Sequence, residues 1–141
     1  MRFYLLDSSF LAAFLNGRDF AVNLITPWIE KHQVATSILC YGEVIEYLKS
    51  QPDFKEHQTQ LKQLLREVYP YFLTFSILER YAEIRRKLRQ PKSPGLIGDI
   101  DTLIAATAIE RNLTLVTVDT DYDRDIPGLK LKLIPRSNLS K

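Results

Sequence analysis

Four carboxylate side chains stand where the sequence is otherwise apolar. Asp7 and Asp119 each follow a short apolar run, Asp101 opens a run of small residues, and Glu43 lies among apolar neighbours. Carboxylates that lie close together repel one another, and their pKa values rise unless a cation offsets the charge. Oxygen ligands favour Mg²⁺ or Mn²⁺. Zinc is unexpected because the chain has one cysteine and two histidines.

The elements that must position these acids alternate between strands and helices. Short apolar runs predict strands, and longer amphipathic runs predict helices. This alternation favours an α/β fold in which helices cover both faces of a central parallel sheet, a three-layer α/β/α arrangement. Strands are predicted at residues 3–6, 34–36, 71–75, 113–118 and 130–134. Helices are predicted at residues 9–15, 20–31, 38–49, 54–69, 77–89 and from 99 or 101 to about 111.

The predicted sheet brings the acids toward one edge. Asp7 and Asp119 lie at the carboxyl ends of their strands, where the sites of open parallel sheets form. Asp99 and Asp101 lie at a helix N-terminus, which normally abuts the same edge. Glu43 lies on the helix after the second strand. This joint placement is what indicates a site.

Each acid also has an ordinary structural interpretation. Asp7 or Asp119 alone is typical of a turn after a strand. Asp99 is equally well interpreted as a helix N-cap, and Asp101 as a first-turn acid that favours the helix dipole. Residues two apart do not share a helix face, so Asp99 and Asp101 are not expected to bind one ion together. Glu43 alone is compatible with an exposed helix position.

Composition predicts one domain that spans residues 1–141. The chain is 45% hydrophobic and 26% charged, which is typical of a globular protein with its own core. Cys40 is the one cysteine, so no disulfide within the chain is expected. No apolar run is long enough to cross a membrane and no signal peptide is evident, so a cytoplasmic protein is expected.

Two phosphate or metal motifs are excluded by their spacing. The run DTDYD at residues 119–123 begins like an EF-hand loop, but the required glycine and final glutamate are replaced by Arg124 and Lys130. No glycine-rich phosphate loop is present.

Three segments together resemble the PIN-domain family, and most closely the VapC-type toxins of type II toxin–antitoxin pairs. They are LLDSSFL, SILCYGEVIEYL and GDIDTLIAATAIERNLTLVTVD. The resemblance covers essentially the whole chain. It implies a PIN-like α/β/α fold and a hydrolase, a Mg²⁺- or Mn²⁺-dependent ribonuclease that cuts RNA phosphodiester bonds.

The family's acidic quartet matches Asp7, Glu43, Asp101 and Asp119. The resemblance implies that Asp7 and Asp101 are direct metal ligands and that Glu43 and Asp119 complete the set. Ser8, Asp99 and Thr117 are expected beside these ligands. The family often has Thr and Asn after the first acid, where this chain has Ser8 and Ser9, so the role of the second position is in doubt. A frequent glycine is replaced by Tyr47.

The resemblance also implies partners. These are an RNA substrate, a cognate antitoxin protein and a second copy in a homodimer, without membrane attachment. A basic run at residues 80–92 is a candidate RNA-binding surface through Arg85, Arg86, Lys87 and Arg89, although it is equally typical of a solvated helix face. Two other functions remain open: a PIN nuclease of RNA processing without toxicity, and a non-catalytic PIN-like binding module.

Overall fold

The computed structural model describes residues 1–140, which form five strands and six α-helices. The strands are β1 (Tyr4–Leu6), β2 (Val34–Ser37), β3 (Tyr69–Tyr71), β4 (Thr114–Thr117) and β5 (Lys130–Leu133). The helices are α1 (Ser8–Leu15), α2 (Asp19–Glu30), α3 (Ile38–Leu48), α4 (Phe54–Leu64), α5 (Phe75–Leu88) and α6 (Asp99–Glu110). Two short 3₁₀ turns follow, at Thr120–Tyr122 and Arg136–Ser140.

All five strands are parallel, in the order β3-β2-β1-β4-β5. β1 is central, with Leu5 opposite both Ala35 of β2 and Leu115 of β4. Because every strand runs the same way, their carboxyl ends open on one edge of the sheet. The prediction of a parallel sheet is confirmed.

Successive residues of the central strands pack into two separate hydrophobic cores, one on each face of the sheet. Leu5 and Leu115 pack toward α3, α5 and α6, whereas Leu6 and Val116 pack toward α2 and the Phe10 side of α1. Side chains alternate between the faces of a strand, so continuously apolar strands need helices on both faces. The predicted three-layer α/β/α arrangement is confirmed.

The prediction is wrong around the third strand. Helix α4 ends at Leu64 and not at Tyr69, and β3 covers Tyr69–Tyr71 and not residues 71–75. The Thr74 hydroxyl accepts a hydrogen bond from the Ile77 amide at 3.3 Å, and this cap starts α5 at Phe75. Pro70 is tolerated in β3 because this strand lies at the edge of the sheet.

The helices before β2 and β4 end in the same way. His32 and Asn112 have positive φ angles of 55° and 56°. Each follows its helix, and the next amide donates back to the last turn, Gln33 to Trp28 and Leu113 to Ala108, both at 2.8 Å. This left-handed cap turns the chain directly into the next strand. Among the residues described, no helix is both long and apolar enough to cross a membrane.

Candidate active site

Asp7 is a buried acid between β1 and α1. The residue is 6% exposed. Its Oδ1 accepts hydrogen bonds from the Ser9 hydroxyl at 2.6 Å and from the Phe10 amide at 3.2 Å, which caps α1. Burial raises the pKa of the Asp7 carboxyl above its ordinary value, and these donors only oppose that rise. The fold therefore holds a carboxyl group whose charged form is costly.

The Thr117 hydroxyl joins Asp7 to the end of β4. Thr117 is completely buried. Its Oγ1 donates a hydrogen bond to Asp7 Oδ2 and accepts one from the Asp119 amide at 3.0 Å. The pairing of β1 with β4 makes this contact possible, since it places the two strand ends side by side. One hydroxyl group thus fixes the relative positions of Asp7 and Asp119.

Glu43 brings an unpaired oxygen to the same edge. It lies on α3 and is half-buried, and its Oε1 is buried without any hydrogen-bond partner. Burial raises the pKa of the Glu43 carboxyl, the nearby Ser8 hydroxyl opposes the rise, and the charges of Asp101 and Asp7 add to it. Buried oxygens are normally satisfied, so this oxygen is a place where a cation would be stabilised.

A tyrosine that follows β4 orients Asp101. Asp119 Oδ1 accepts a hydrogen bond from the Asp121 amide at 2.9 Å and so caps the turn Thr120–Tyr122. This turn carries the Tyr122 hydroxyl to Asp101 Oδ1 at 3.2 Å. Burial and the Asp101 charge raise the pKa of Tyr122 far above its ordinary value, so the phenol stays protonated and donates.

The four acids border one pocket. Its volume is about 260 Å³, and its polar lining consists of Asp7, Ser8, Ser9, Glu43, Asp101, Asp119, Tyr122 and Arg136. Burial is also the main cause that raises the pKa of Asp101, with a smaller contribution from the charge of Asp119. The acids therefore act on one another electrostatically across a shared cavity.

The donor set fits a hard divalent cation. In the part of the chain that the structure describes, no three His, Cys, Asp or Glu side chains stand close enough to form a preassembled metal cage. The pocket nevertheless offers four carboxylates, one of them with an unpaired buried oxygen, and no Cys or His borders it. Oxygen-only ligands of this kind suit Mg²⁺ or Mn²⁺.

Asp99 lies outside this pocket. It is the first residue of α6, the N-cap is Gly98, and no side chain caps the helix. The Asp99 carboxylate instead accepts a hydrogen bond from the Tyr81 hydroxyl at 3.0 Å and forms an ion pair with Arg85. The interpretation of Asp99 as the cap is therefore wrong, because the side chain turns toward α5.

The basic residues of α5 do not border the pocket either. Arg85 is engaged by Asp99, and Lys87 lies 3.6 Å from an Asp125 oxygen. Arg86 and Arg89 are exposed and border a separate shallow depression. The predicted RNA-binding residues, which lie on α5 and at its C-terminal end, are therefore separate from the pocket that the four acids border.

Comparison with known proteins identifies the family. The PIN domain family model matches residues 4–125, and the chain belongs to this family. A comparison with curated protein sequences found no match. The membership confirms the resemblance that was inferred from the sequence.

Solved structures of VapBC complexes have the same fold. One chain of the VapBC2 complex from Rickettsia felis, which was solved with a DNA fragment of its promoter, is 26% identical to this chain, with a TM-score of 0.79. The match covers 93% of this chain and 98% of the Rickettsia chain. DNA-bound VapBC from Salmonella typhimurium is 17% identical with a TM-score of 0.81, covering 94% and 98%. VapBC-5 from Mycobacterium tuberculosis is 16% identical with a TM-score of 0.69, covering 95% and 100%.

Sequence reasoning missed two side chains of the pocket, Tyr122 and Arg136, and left the role of a third, Ser9, open. Tyr122 lies in the segment that was excluded as an EF-hand, and only the capped turn shows that it reaches Asp101. Ser9 was left in doubt, yet its hydroxyl contacts Asp7. Arg136 is one of four basic residues near the C-terminus, with Lys130, Lys132 and Lys141, and nothing in the sequence distinguishes it from the other three. No spacing rule links Tyr122 or Arg136 to the acids, because both reach the pocket through tertiary contacts, whereas Ser9 lies two residues from Asp7 and its contact is local.

Replacing Thr117 by valine should destabilise the protein by about 1–3 kcal/mol. The change keeps the shape but leaves Asp7 Oδ2 without a donor and the Asp119 amide without an acceptor. Urea unfolding measures the loss. Thr117→Ser keeps the hydroxyl and loses only one buried methyl group, so it should lose less stability, about 1 kcal/mol or below; equal losses in both variants would contradict the hydrogen-bonding role.

Replacing Asp7 by asparagine should stabilise the protein in EDTA at pH 7. The raised pKa of Asp7 means that the folded state binds its proton more tightly than the unfolded state. The contribution of this group to stability is therefore complete below its unfolded-state pKa and is lost as pH rises through its folded-state pKa. We therefore expect a higher Tm for Asp7→Asn than for the wild type in EDTA at pH 7.

The same experiment has an internal control. The difference in Tm between Asp7→Asn and wild type should shrink as the pH is lowered through the folded-state pKa of Asp7, because the wild-type carboxyl then becomes protonated as well. A difference that stays constant with pH would show that the Asp7 charge is not its cause.

Proposed function

We propose that this chain is a Mg²⁺- or Mn²⁺-dependent endoribonuclease and the toxin of a type II toxin–antitoxin pair. The observation that carries the proposal is the pocket in which four carboxylates converge and one Glu43 oxygen is buried without a partner. A binding module has no need for this arrangement, since each buried carboxylate raises the free energy of the folded protein. The proposal treats residues 1–141 as one catalytic domain.

The pocket residues divide into ligands and orienting groups. We assign Asp7 and Asp101 as direct metal ligands, with Glu43 and Asp119 completing the set. A divalent cation held there supplies a Lewis acid that activates water and offsets the charge that develops on the phosphate. Thr117 and Ser9 hold the Asp7 carboxylate in a fixed orientation, and Tyr122 does the same for Asp101.

Ser8 and Asp99 have supporting roles in this proposal. Ser8 borders the pocket, and its hydroxyl stabilises the charged form of Glu43. Asp99 positions Arg85 at the start of α6, next to the acid-bearing turn. Arg85, Arg86, Lys87 and Arg89 then offer a positive surface to RNA strands that extend beyond the pocket.

The structural relatives support an antitoxin partner. VapBC-5 from Mycobacterium tuberculosis is described as a member of the VapBC family of toxin–antitoxin systems, and its fold matches along this chain. We propose that this chain has a cognate antitoxin. We also propose that it is located in the cytoplasm, where its RNA substrate would be found. The proposal also includes a homodimer, since large apolar side chains are clustered and exposed in the segment Phe72–Leu78, with Phe75 88% exposed.

Purified protein should cleave a mixed pool of RNA in Mg²⁺ or Mn²⁺ and should not cleave it in EDTA. Glu43→Gln should lower the rate at least about 100-fold, because losing a ligand costs more than losing a residue that orients one. Gel electrophoresis of labelled RNA measures the rate.

Glu46→Gln is the matched control for this assay. Glu46 lies on the same helix and is exposed, so the variant should keep wild-type activity. Asp101→Asn should be inactive while it stays folded by circular dichroism. Cleavage that survives in Asp101→Asn, or that persists in EDTA, would contradict the proposed site.

Induced expression in a bacterial host without the cognate partner should arrest growth. Asp101→Asn at the same protein level should not, because toxicity depends on cleavage. Growth curves and immunoblots measure both. Wild-type protein that cleaves RNA in vitro but leaves growth unchanged would favour a role in RNA processing over that of a toxin.

A further inference from the structure

Arg136 is the one cationic side chain that borders the acidic pocket among residues 1–140. It belongs to the turn Arg136–Ser140 that follows β5, and it is exposed. The pocket therefore has an acidic floor from β1, α3, α6 and β4 and a basic residue at its rim from the C-terminal segment.

The backbone before Arg136 is fixed to β4, the strand that precedes Asp119. The Ile134 amide donates a hydrogen bond to the Thr117 carbonyl at 2.9 Å. Ile134 and Leu139 then pack against the core that contains Val116 and Val118. Arg136 thus leaves the sheet at the same edge as Asp119, between two anchored residues, so its position follows from the fold.

The Arg136 guanidinium forms no ion pair in the part of the chain that the structure describes. Every ion pair there involves Arg80, Arg85, Lys87 or Arg124. Arg136 borders four carboxylates, yet no carboxylate oxygen of residues 1–140 lies within ion-pair distance of it. Its donors are therefore available to a ligand that enters the pocket.

The negative charge of the pocket would make a cationic group at its rim favourable for binding an RNA phosphate. Four ionised carboxylates carry four negative charges, and one divalent cation offsets two of them. The site would then still repel the phosphodiester of an RNA substrate. A guanidinium group is always charged and can donate two parallel hydrogen bonds to the oxygens of one phosphate.

We propose that Arg136 binds the non-bridging oxygens of the scissile phosphodiester and positions that group over the four acids. The proposal rests on the proposed ribonuclease function and adds a substrate contact to it. Arg136 lowers the repulsion between substrate and pocket and gives the phosphate a fixed orientation toward the acid side chains.

Binding of a labelled single-stranded RNA tests the contact without cleavage. Arg136→Ala in the Asp101→Asn background should weaken binding about 10-fold, and the slope of log K against log salt should decrease by about 0.7 in magnitude, as expected for the loss of one phosphate contact. Arg66→Ala is the matched control, because Arg66 is exposed, lies between α4 and β3, before that strand begins, and forms no ion pair in the part of the chain that the structure describes. Equal losses in both variants would overturn the proposal.

Steady-state cleavage and calorimetry complete the test. In the active protein, Arg136→Ala should lower kcat/KM about 10- to 100-fold, Arg136→Lys should recover part of this loss, and Mg²⁺ affinity should stay the same or rise. A loss of Mg²⁺ binding in Arg136→Ala would indicate a structural role and overturn the proposal. Faster cleavage by Arg136→Ala would overturn it too, because the arginine would then be blocking the pocket.

The two proposals fail in different ways. If the wild type neither binds nor cleaves RNA, the proposed ribonuclease function is wrong, and the proposed phosphate contact is wrong as well. If the wild type cleaves in a metal-dependent manner and Arg136→Ala matches it in both binding and kcat/KM, only the assignment of Arg136 is wrong.

Discussion

The parallel pairing of β1 with β4 is the constraint on which the rest of the site depends. It places Asp7 next to the end of β4, where the buried Thr117 hydroxyl donates to the Asp7 carboxylate and accepts from the Asp119 amide. Asp119 in turn caps the turn that carries Tyr122 to Asp101. Three of the four acids are therefore held by one continuous set of hydrogen bonds that begins at a strand pair.

This arrangement is electrostatically unfavourable without a cation. Burial raises the pKa values of Asp7, Glu43 and Asp101, and neighbouring carboxylates add to the effect. Hydroxyl groups from Ser9, Thr117 and Tyr122 offset only part of the cost, since a hydroxyl donates one proton and carries no charge. The two apolar cores on either side of the sheet must supply the stability that these acids remove.

Positive charge is distributed unevenly around the acids. The arginines of α5 that lie nearest to α6 are held by acidic partners, Arg85 by Asp99 and Arg80 by Glu110. Their positive charge is partly offset accordingly, whereas Arg136 forms no ion pair among residues 1–140 and borders the pocket. Under the proposed ribonuclease function, the C-terminal segment would therefore matter more to substrate approach than the number of basic residues in α5 suggests.

Two of the four acids, Asp7 and Asp119, stood out in the sequence because each follows a strand, whereas Glu43 and Asp101 lie on helices and were matched through the family resemblance. The order of strands and helices and the parallel sheet were also predictable, because apolar periodicity is a local signal. The boundaries of α4 and β3 were not, since an edge strand with Pro70 and a Thr74 cap override the local apolar pattern. The separation of Asp99 from Asp101 was predictable, because residues two apart do not share a helix face, but only the packing of α5 on α6 shows that Asp99 contacts Arg85. Tyr122 and Arg136 reach the pocket through folded turns, so only the tertiary structure places them there.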